Sequence, residues 1–318
     1  MPPGAKVRVG NLPHELTSFV GRRREMAEVR RLLSVSRLVT LTGVGGVGKT
    51  RLALRCAADC KRVFADSVWS VSLGEMRDPG AVTDAVMSAL GLREGRGSTP
   101  AMQLVEYLAP RQLLLVVDNC EHLVAPVASL SEALLRSCPD FRILATSREA
   151  LGIGGEVVLA VPPLTLPKTN DQSSIVGGNY EAMSLFAERA RAVVPGFVVV
   201  ESNQNAIATI CRRLDGLPLA IELAAVRLRA MSVDQIQQRL TDRYGLLTTG
   251  NRAAPERQQT LQLCIDWSYE LCTLEERDLW RRLTVFSGGF ELDAVEGICS
   301  DRAKVDVAGT DVDDAGLK

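Results

Sequence analysis

The apolar positions of this chain fall into three successive rhythms: one helical stretch, then short strands alternating with helices, then helices alone. Residues 1–17 carry three prolines and little periodicity, which predicts an extended lead-in. Ser18-Phe19-Val20-Gly21 is expected to open a helix, with Met26, Val29 and Leu33 on one face. Residues 38–41 form an apolar, β-branched run suited to a buried parallel strand, and Leu52, Cys56, Ala57 and Cys60 then return to helical spacing. Residues 67–73 alternate as a second strand. Two helices follow, around 80–90 and 99–108, separated by a glycine-bearing segment at 91–97. Residues 113–117 run unbroken into Asp118, residues 141–146 end at Ser147-Arg148-Glu149, and residues 156–161 are stopped by Pro162-Pro163. Strands alternating with helices predict an α/β domain over 18–165 with a doubly wound, mainly parallel sheet.

A polar, turn-rich stretch at 165–179 marks a domain boundary. Beyond it the pattern is all-helical over 176–248, with Gly216-Leu217-Pro218 placing a proline in the first turn of a helix. A second polar hinge, 248–255, leads into a segment spanning 256–299. There Thr273-Leu274-Glu275-Glu276 fits a capping box, Leu279, Leu283 and Phe286 share one helical face, and Ser287-Gly288-Gly289 ends the helix. Residues 300–318 lose the apolar rhythm and are expected to be a mobile tail.

Candidate chemistry is concentrated between the first strand and the first helix of the α/β part. Gly43-Val44-Gly45-Gly46-Val47-Gly48-Lys49-Thr50 fits G-x-x-x-x-G-K-[ST] in the strand–loop–helix context that this motif needs. Its glycines free backbone N–H groups to surround a phosphate, and the next helix aims its positive end at the same anion. Lys49 can then reach the terminal phosphates, while the Thr50 hydroxyl can ligate Mg²⁺. The alternative is an ordinary glycine turn. Gly43, Gly45 and Gly48 also spell the dinucleotide pattern G-x-G-x-x-G, which would suit a hydride-transfer enzyme, but that loop has no need of Lys49 and Thr50.

Further candidates lie where later strands end. Asp118 would either hold Mg²⁺ opposite Thr50 or cap the next helix. Asn119 is an amide and accepts no proton from water, so a general base must lie elsewhere; Glu121 is either that base or a solvent-facing acid in the first helical turn. Arg148 would sense a γ-phosphate or pair with Glu149. Arg22, Arg23 and Arg24 sit at a helix start, where cations are disfavoured, and form either a solvated basic turn or a place where an anion such as the nucleotide offsets the repulsion.

Composition narrows the partners. Hydrophobic residues at 46% and charged ones at 24% are ordinary globular values, and a net charge of −1 provides no global pull toward nucleic acid or an anionic membrane. Eight cysteines without C-x-x-C pairs and two histidines make no zinc cluster. Neither a signal peptide nor a membrane-spanning run is evident, which leads to the expectation of a cytoplasmic protein.

Six motifs in order, NLPHELTSFVGR, LVTLTGVGGVGKTRLAL, LLLVVDNCEHL, ILATSRE, GLPLAIELAA and ERQQTLQLCIDWSYELC, followed by RRLTVFSGGF, carry a resemblance. The chain resembles the STAND-class, NB-ARC-like P-loop ATPase module of large bacterial LuxR-type and cyclase-linked transcriptional regulators. The resemblance implies a P-loop NTPase fold, a helical domain and, from Gln258, a partial winged-helix-like segment. It implies that Val20, Gly21 and Arg22 lie near adenine and that the loop from Gly43 to Thr50, with Arg51 beside it, binds ATP or ADP. Asp118 becomes the Walker B acid, Arg148 the sensor arginine and Pro218 the adenine-packing residue. The chain is then expected to be a switch without its output module, a shortened paralogue that self-associates or pairs with related regulators. Slow Mg²⁺-dependent hydrolysis is expected, with no sequence-specific DNA binding and no membrane association. The second reading is a non-hydrolysing, ADP-bound protein that pairs with full-length relatives; a motor-like ATPase is disfavoured because no acid directly follows Asp118.

Overall fold

In the computed structural model the described residues are 10–93, 98–167, 180–247, 269, 273–286, 291 and 293–295. The chain divides into two compact units, 1–266 and 267–318. In the first unit come α1 (Arg23–Val35), β1 (Leu38–Thr42), α2 (Lys49–Asp59), β2 (Val68–Ser72), α3 (Val82–Ala89), α4 (Pro100–Leu108), β3 (Leu114–Asp118), α5 (Val124–Ser137), β4 (Arg142–Thr146) and β5 (Glu156–Ala160). Four helices follow: α6 (Glu181–Val193), α7 (Glu201–Arg213), α8 (Pro218–Val226) and α9 (Val233–Leu247).

The five strands form one all-parallel sheet in the order β2-β3-β4-β1-β5, the P-loop NTPase arrangement. β1, β3 and β4 are buried along nearly their whole length, as central strands covered by helices on both faces must be, whereas β5 at one edge is only partly covered. Leu38, Leu115, Ile143 and Phe141 anchor a core with Leu104, Leu108 and Leu134 from the helices. The five cysteines among the described residues, Cys56, Cys60, Cys120, Cys138 and Cys211, are all buried and unpaired. Burial pushes the thiols of Cys56, Cys120 and Cys211 up to about 12.

Register decides where the site forms. Val117 pairs with Ala145 and Leu41 with Thr146, so the chain leaves β1, β3 and β4 at one level of the sheet's C-terminal edge. The lead-in from residue 10 is not helical and is fastened to the opposite edge strand. Asn11 accepts from the Ser70 N–H at 2.7 Å and donates to the Ser70 carbonyl at 2.8 Å, so one side chain satisfies backbone groups of β2 that would otherwise template further pairing.

Residues 18–22 are not helical; α1 begins at Arg23, with Arg22 as its N-cap in the left-handed region at φ 61°. The helices after residue 180 match the expected stretches, and Pro218 opens α8 at its first turn. Most of the expected boundary at 165–179, the hinge at 248–255, most of the winged-helix-like segment and the tail lie outside the described residues. In the second unit α10 (Leu274–Leu283) carries the expected capping box: Thr273 Oγ1 accepts from the Glu276 N–H at 3.2 Å and Glu276 accepts from the Thr273 N–H at 2.7 Å. No helix among the described residues is long and apolar enough to cross a membrane.

Candidate functional site

The loop between β1 and α2 needs glycine for a local reason. Gly43, Gly46 and Gly48 have φ of 147°, 75° and 92°, while Gly45 is not among the positive-φ residues. Gly48 is the left-handed N-cap of α2, so the first N–H groups of that helix open toward the loop. Lys49 is largely buried, and its Nζ donates to the carbonyls of Gly43 at 2.8 Å and Val44 at 3.3 Å. Burial lowers its pKa; Glu121 pushes the other way, Arg148 lowers it further and Asp118 opposes. An ammonium held in this setting gains from an incoming anion.

Thr50 Oγ1 donates to Asp118 Oδ1 at 2.6 Å, so the loop's last residue and the acid at the end of β3 meet as the spacing predicted. Thr146, buried at the end of β4, donates to the same oxygen at 2.6 Å and accepts from the Asn119 N–H at 2.9 Å. Asp118 makes no cap to the following helix, so its helix-capping alternative falls. Thr50 and Asp118 offer hard oxygens, which suits Mg²⁺ completed by phosphate oxygens and water. The described residues contain no cluster of three or more His, Cys, Asp or Glu that could hold a metal ion.

Two expectations about the neighbouring charges change. Glu121 is not a solvent-facing acid in a regular helix; it lies in a 3₁₀ turn at Cys120–His122 with its side chain 17% exposed. Arg148 pairs with Glu121 at 3.2 Å rather than with Glu149, because the ends of β3 and β4 bring those two side chains together while Glu149 points to solvent. Asn119 occupies the left-handed region at φ 67°, a conformation asparagine tolerates better than most residues. With its amide nitrogen turned to Glu121 it donates to both carboxylate oxygens, at 3.1 and 3.2 Å.

The basic turn also resolves unevenly. Arg23 and Arg24 are exposed, but Arg22 is 4% exposed and donates to the carbonyls of Val47, at 2.9 Å, and Pro162. Neither a solvated turn nor an anion site describes that guanidinium, because its hydrogen bonds go to protein carbonyls and tie the glycine loop to the end of β5. Burial lowers its pKa against the pull of Glu25 and Glu181.

Beside the loop is a slot lined by Phe19, Val20, Arg22, Val47, Gly48, Arg51, Leu164, Leu185, Pro218 and Glu222. It brings together the expected Val20, Arg22, Arg51 and Pro218; Gly21 is not among its lining residues and instead packs against Glu181. A Cβ on Gly21 would stand 2.7 Å from Glu181, whose Oε1 accepts from the Arg22 N–H at 2.6 Å. Pro218 approaches the loop closely enough that a Cβ on Gly48 would lie 3.8 Å from its ring, and the Leu219 N–H donates to the Gly46 carbonyl at 3.3 Å. Sequence reasoning missed Thr146, Glu181, Arg189 and Glu222. Only Glu222 left a usable signal: it follows Pro218 by four residues and so shares its helical face.

An uncharacterized protein of Mycobacterium tuberculosis (strain ATCC 25618 / H37Rv), Rv0894, is 44% identical over 285 residues, spanning 89% of this chain and 69% of that protein. The chain belongs to the family of this mycobacterial protein. A second relative from the same strain, "Putative HTH-type transcriptional regulator Rv0890c", is 43% identical over 285 residues; the match covers 90% of this chain but 30% of that regulator. Regulatory protein AfsR of Streptomyces griseus is 26% identical over 258 residues, covering 76% of this chain and 24% of AfsR. The shared region is therefore less than a third of the length of these two regulators. No sequence model of a known family matches the chain. Among solved structures, a Signal Transduction ATPase with Numerous Domains (STAND) protein with a tetratricopeptide repeat sensor from Pyrococcus horikoshii superposes with a TM-score of 0.54 at 15% identity, over 90% of this chain and 37% of that one. At that identity the likeness is one of fold.

Proposed function

We propose that this chain is an adenine-nucleotide switch of the STAND, NB-ARC-like kind, working within a regulator family that includes LuxR-type proteins. The observation that carries the proposal is the meeting of Thr50 and Asp118 at 2.6 Å beside a glycine loop whose lysine is partly stripped of water. In this reading the loop N–H groups and Lys49 hold the phosphates, and Lys49 exchanges the carbonyls of Gly43 and Val44 for phosphate oxygens. Thr50 and Asp118 would hold Mg²⁺, which would neutralise phosphate charge. Val20, Gly21 and Pro218 border the base; Arg51 stands between base and phosphates; Arg148 reaches toward the γ-phosphate and Glu121 accepts the proton of the attacking water. Because α8 touches the loop directly, a change in nucleotide state is transmitted to the helices.

A second reading draws on the engagement of Glu121 by Arg148 and Asn119, whose hydrogen bonds occupy its carboxylate oxygens. It is a protein that holds ADP without turnover and pairs with longer relatives. In both readings the chain works inside the cell by associating with itself or with related regulators.

Calorimetry tests the shared part. Lys49→Ala should weaken Mg-ATP binding at least about tenfold, equivalent to about 1.4 kcal/mol. Unchanged affinity in a folded variant would remove the phosphate-site assignment.

A further inference from the structure

Glu222 is the one carboxylate among the residues that line the slot, and the structure surrounds it with unusual care. Its Oε1 accepts from Arg51 Nη1 at 3.2 Å and from Arg189 Nε at 2.9 Å. Those arginines are themselves anchored. Arg51 Nη2 donates to the Thr17 and Ser18 carbonyls, at 3.1 and 2.9 Å, and Arg189 Nη2 donates to the Ser18 carbonyl at 3.1 Å. The carboxylate is thus held in one orientation from both sides. Both arginines use the same oxygen, and among the described residues no hydrogen bond reaches Oε2.

This arrangement suits one part of a nucleotide. The walls made by Phe19, Val20, Leu185 and Pro218 are apolar, the character that the faces of a base need, and the slot runs to Val47 and Gly48 of the glycine loop, the side on which phosphates would lie. Between them a nucleoside presents its sugar, whose hydroxyls are donors and need an acceptor. Arg51 and Glu222 line that same slot, in the first turn of α2 and one turn into α8. An unpaired carboxylate there would repel the phosphates. Two guanidinium groups on Oε1 offset that penalty; with Glu188 on Arg189 Nη1 at 3.4 Å the group of four carries no net charge, so Oε2 accepts a hydroxyl at little electrostatic cost.

We infer that Glu222 accepts a hydrogen bond from the ribose hydroxyls and makes this slot select ribonucleotides over deoxyribonucleotides. The inference rests on the nucleotide-site reading above and names the determinant of sugar selectivity within it. A deoxy sugar leaves a desolvated carboxylate oxygen without a donor, which is the asymmetric penalty that sites built to bind a hydroxyl impose. Glu222 keeps 29% of its side-chain exposure, so water softens that penalty. The expected discrimination is about tenfold, far short of the values reached by closed pockets.

Isothermal titration of the full chain with Mg-ATP, Mg-2′-deoxy-ATP and Mg-3′-deoxy-ATP tests this. The wild type should bind ATP about tenfold more tightly than at least one deoxy analogue. Glu222→Ala should bring the ratio close to one by losing ATP affinity while keeping that for the analogue. Arg189→Met, which removes one guanidinium but keeps the acceptor, should preserve a preference for ATP. Equal wild-type affinities for all three ligands overturn the inference even if the alanine variant fails to fold, and so does a ratio that survives in folded Glu222→Ala. Binding of none of the three by the wild type removes the nucleotide-site reading itself, a different result from equal binding of all.

Discussion

Asn119 and Glu121 split a task that one carboxylate directly after Asp118 could perform alone. Asn119 can orient but not deprotonate; Glu121 can accept a proton but reaches the site only through a left-handed turn, with Arg148 at 3.2 Å on its carboxylate. Turnover should therefore lie well below the ordinary enzyme median of about 10 s⁻¹. If Glu121 is the base, Glu121→Gln slows single-turnover hydrolysis at least about tenfold with ATP affinity nearly unchanged. A rate equal to wild type would take Glu121 out of the chemistry, and fast multiple turnover by the wild type would remove the switch reading. At this scale the sequence was legible where a motif fixes spacing: Thr50 and Asp118 meet, and Lys49 folds back over the glycine loop. Arg148's partner was not legible, because sequence neighbours do not reveal which side chains two adjacent parallel strands bring together. Arg22 was misread for a related reason, since charge counting cannot foresee a guanidinium buried against two carbonyls.

At the scale of elements, the segment before α1 is held by α6 at two points eight residues apart. Glu181 takes the Arg22 N–H and Arg189 takes the Ser18 carbonyl. Gly21 makes the first contact possible, with φ of 73° and no room for a Cβ beside Glu181. Gly21→Ala should cost about 1–3 kcal/mol, from left-handed strain plus displacement of Glu181, and lower the midpoint of thermal unfolding by several degrees. An unchanged midpoint would mean that Glu181 swings aside freely. Strands, helices and the capping box at Thr273 could be read from periodicity and from Gly, Pro and Thr positions. The docking of α6 and α8 onto the loop could not, because it depends on contacts such as Leu219 to Gly46 that carry no periodic signature.

For the whole molecule, the parallel sheet and the following helices lie in one compact unit, so motions at the loop and in the helices share a single packed body. The buried thiols turn that body into its own clock. A thiol with a pKa near 12 has almost no thiolate at neutral pH and reacts with a disulfide reagent chiefly when its surroundings open. Cys56 lies on α2 behind the loop, Cys120 beneath the turn at Asn119, and Cys211 on α7. Mass-resolved labelling should find all three slow in native buffer and fast in denaturant. Adding Mg-ATP should slow Cys56 and Cys120 further, and whether Cys211 follows them measures how far a nucleotide's grip extends into the helices.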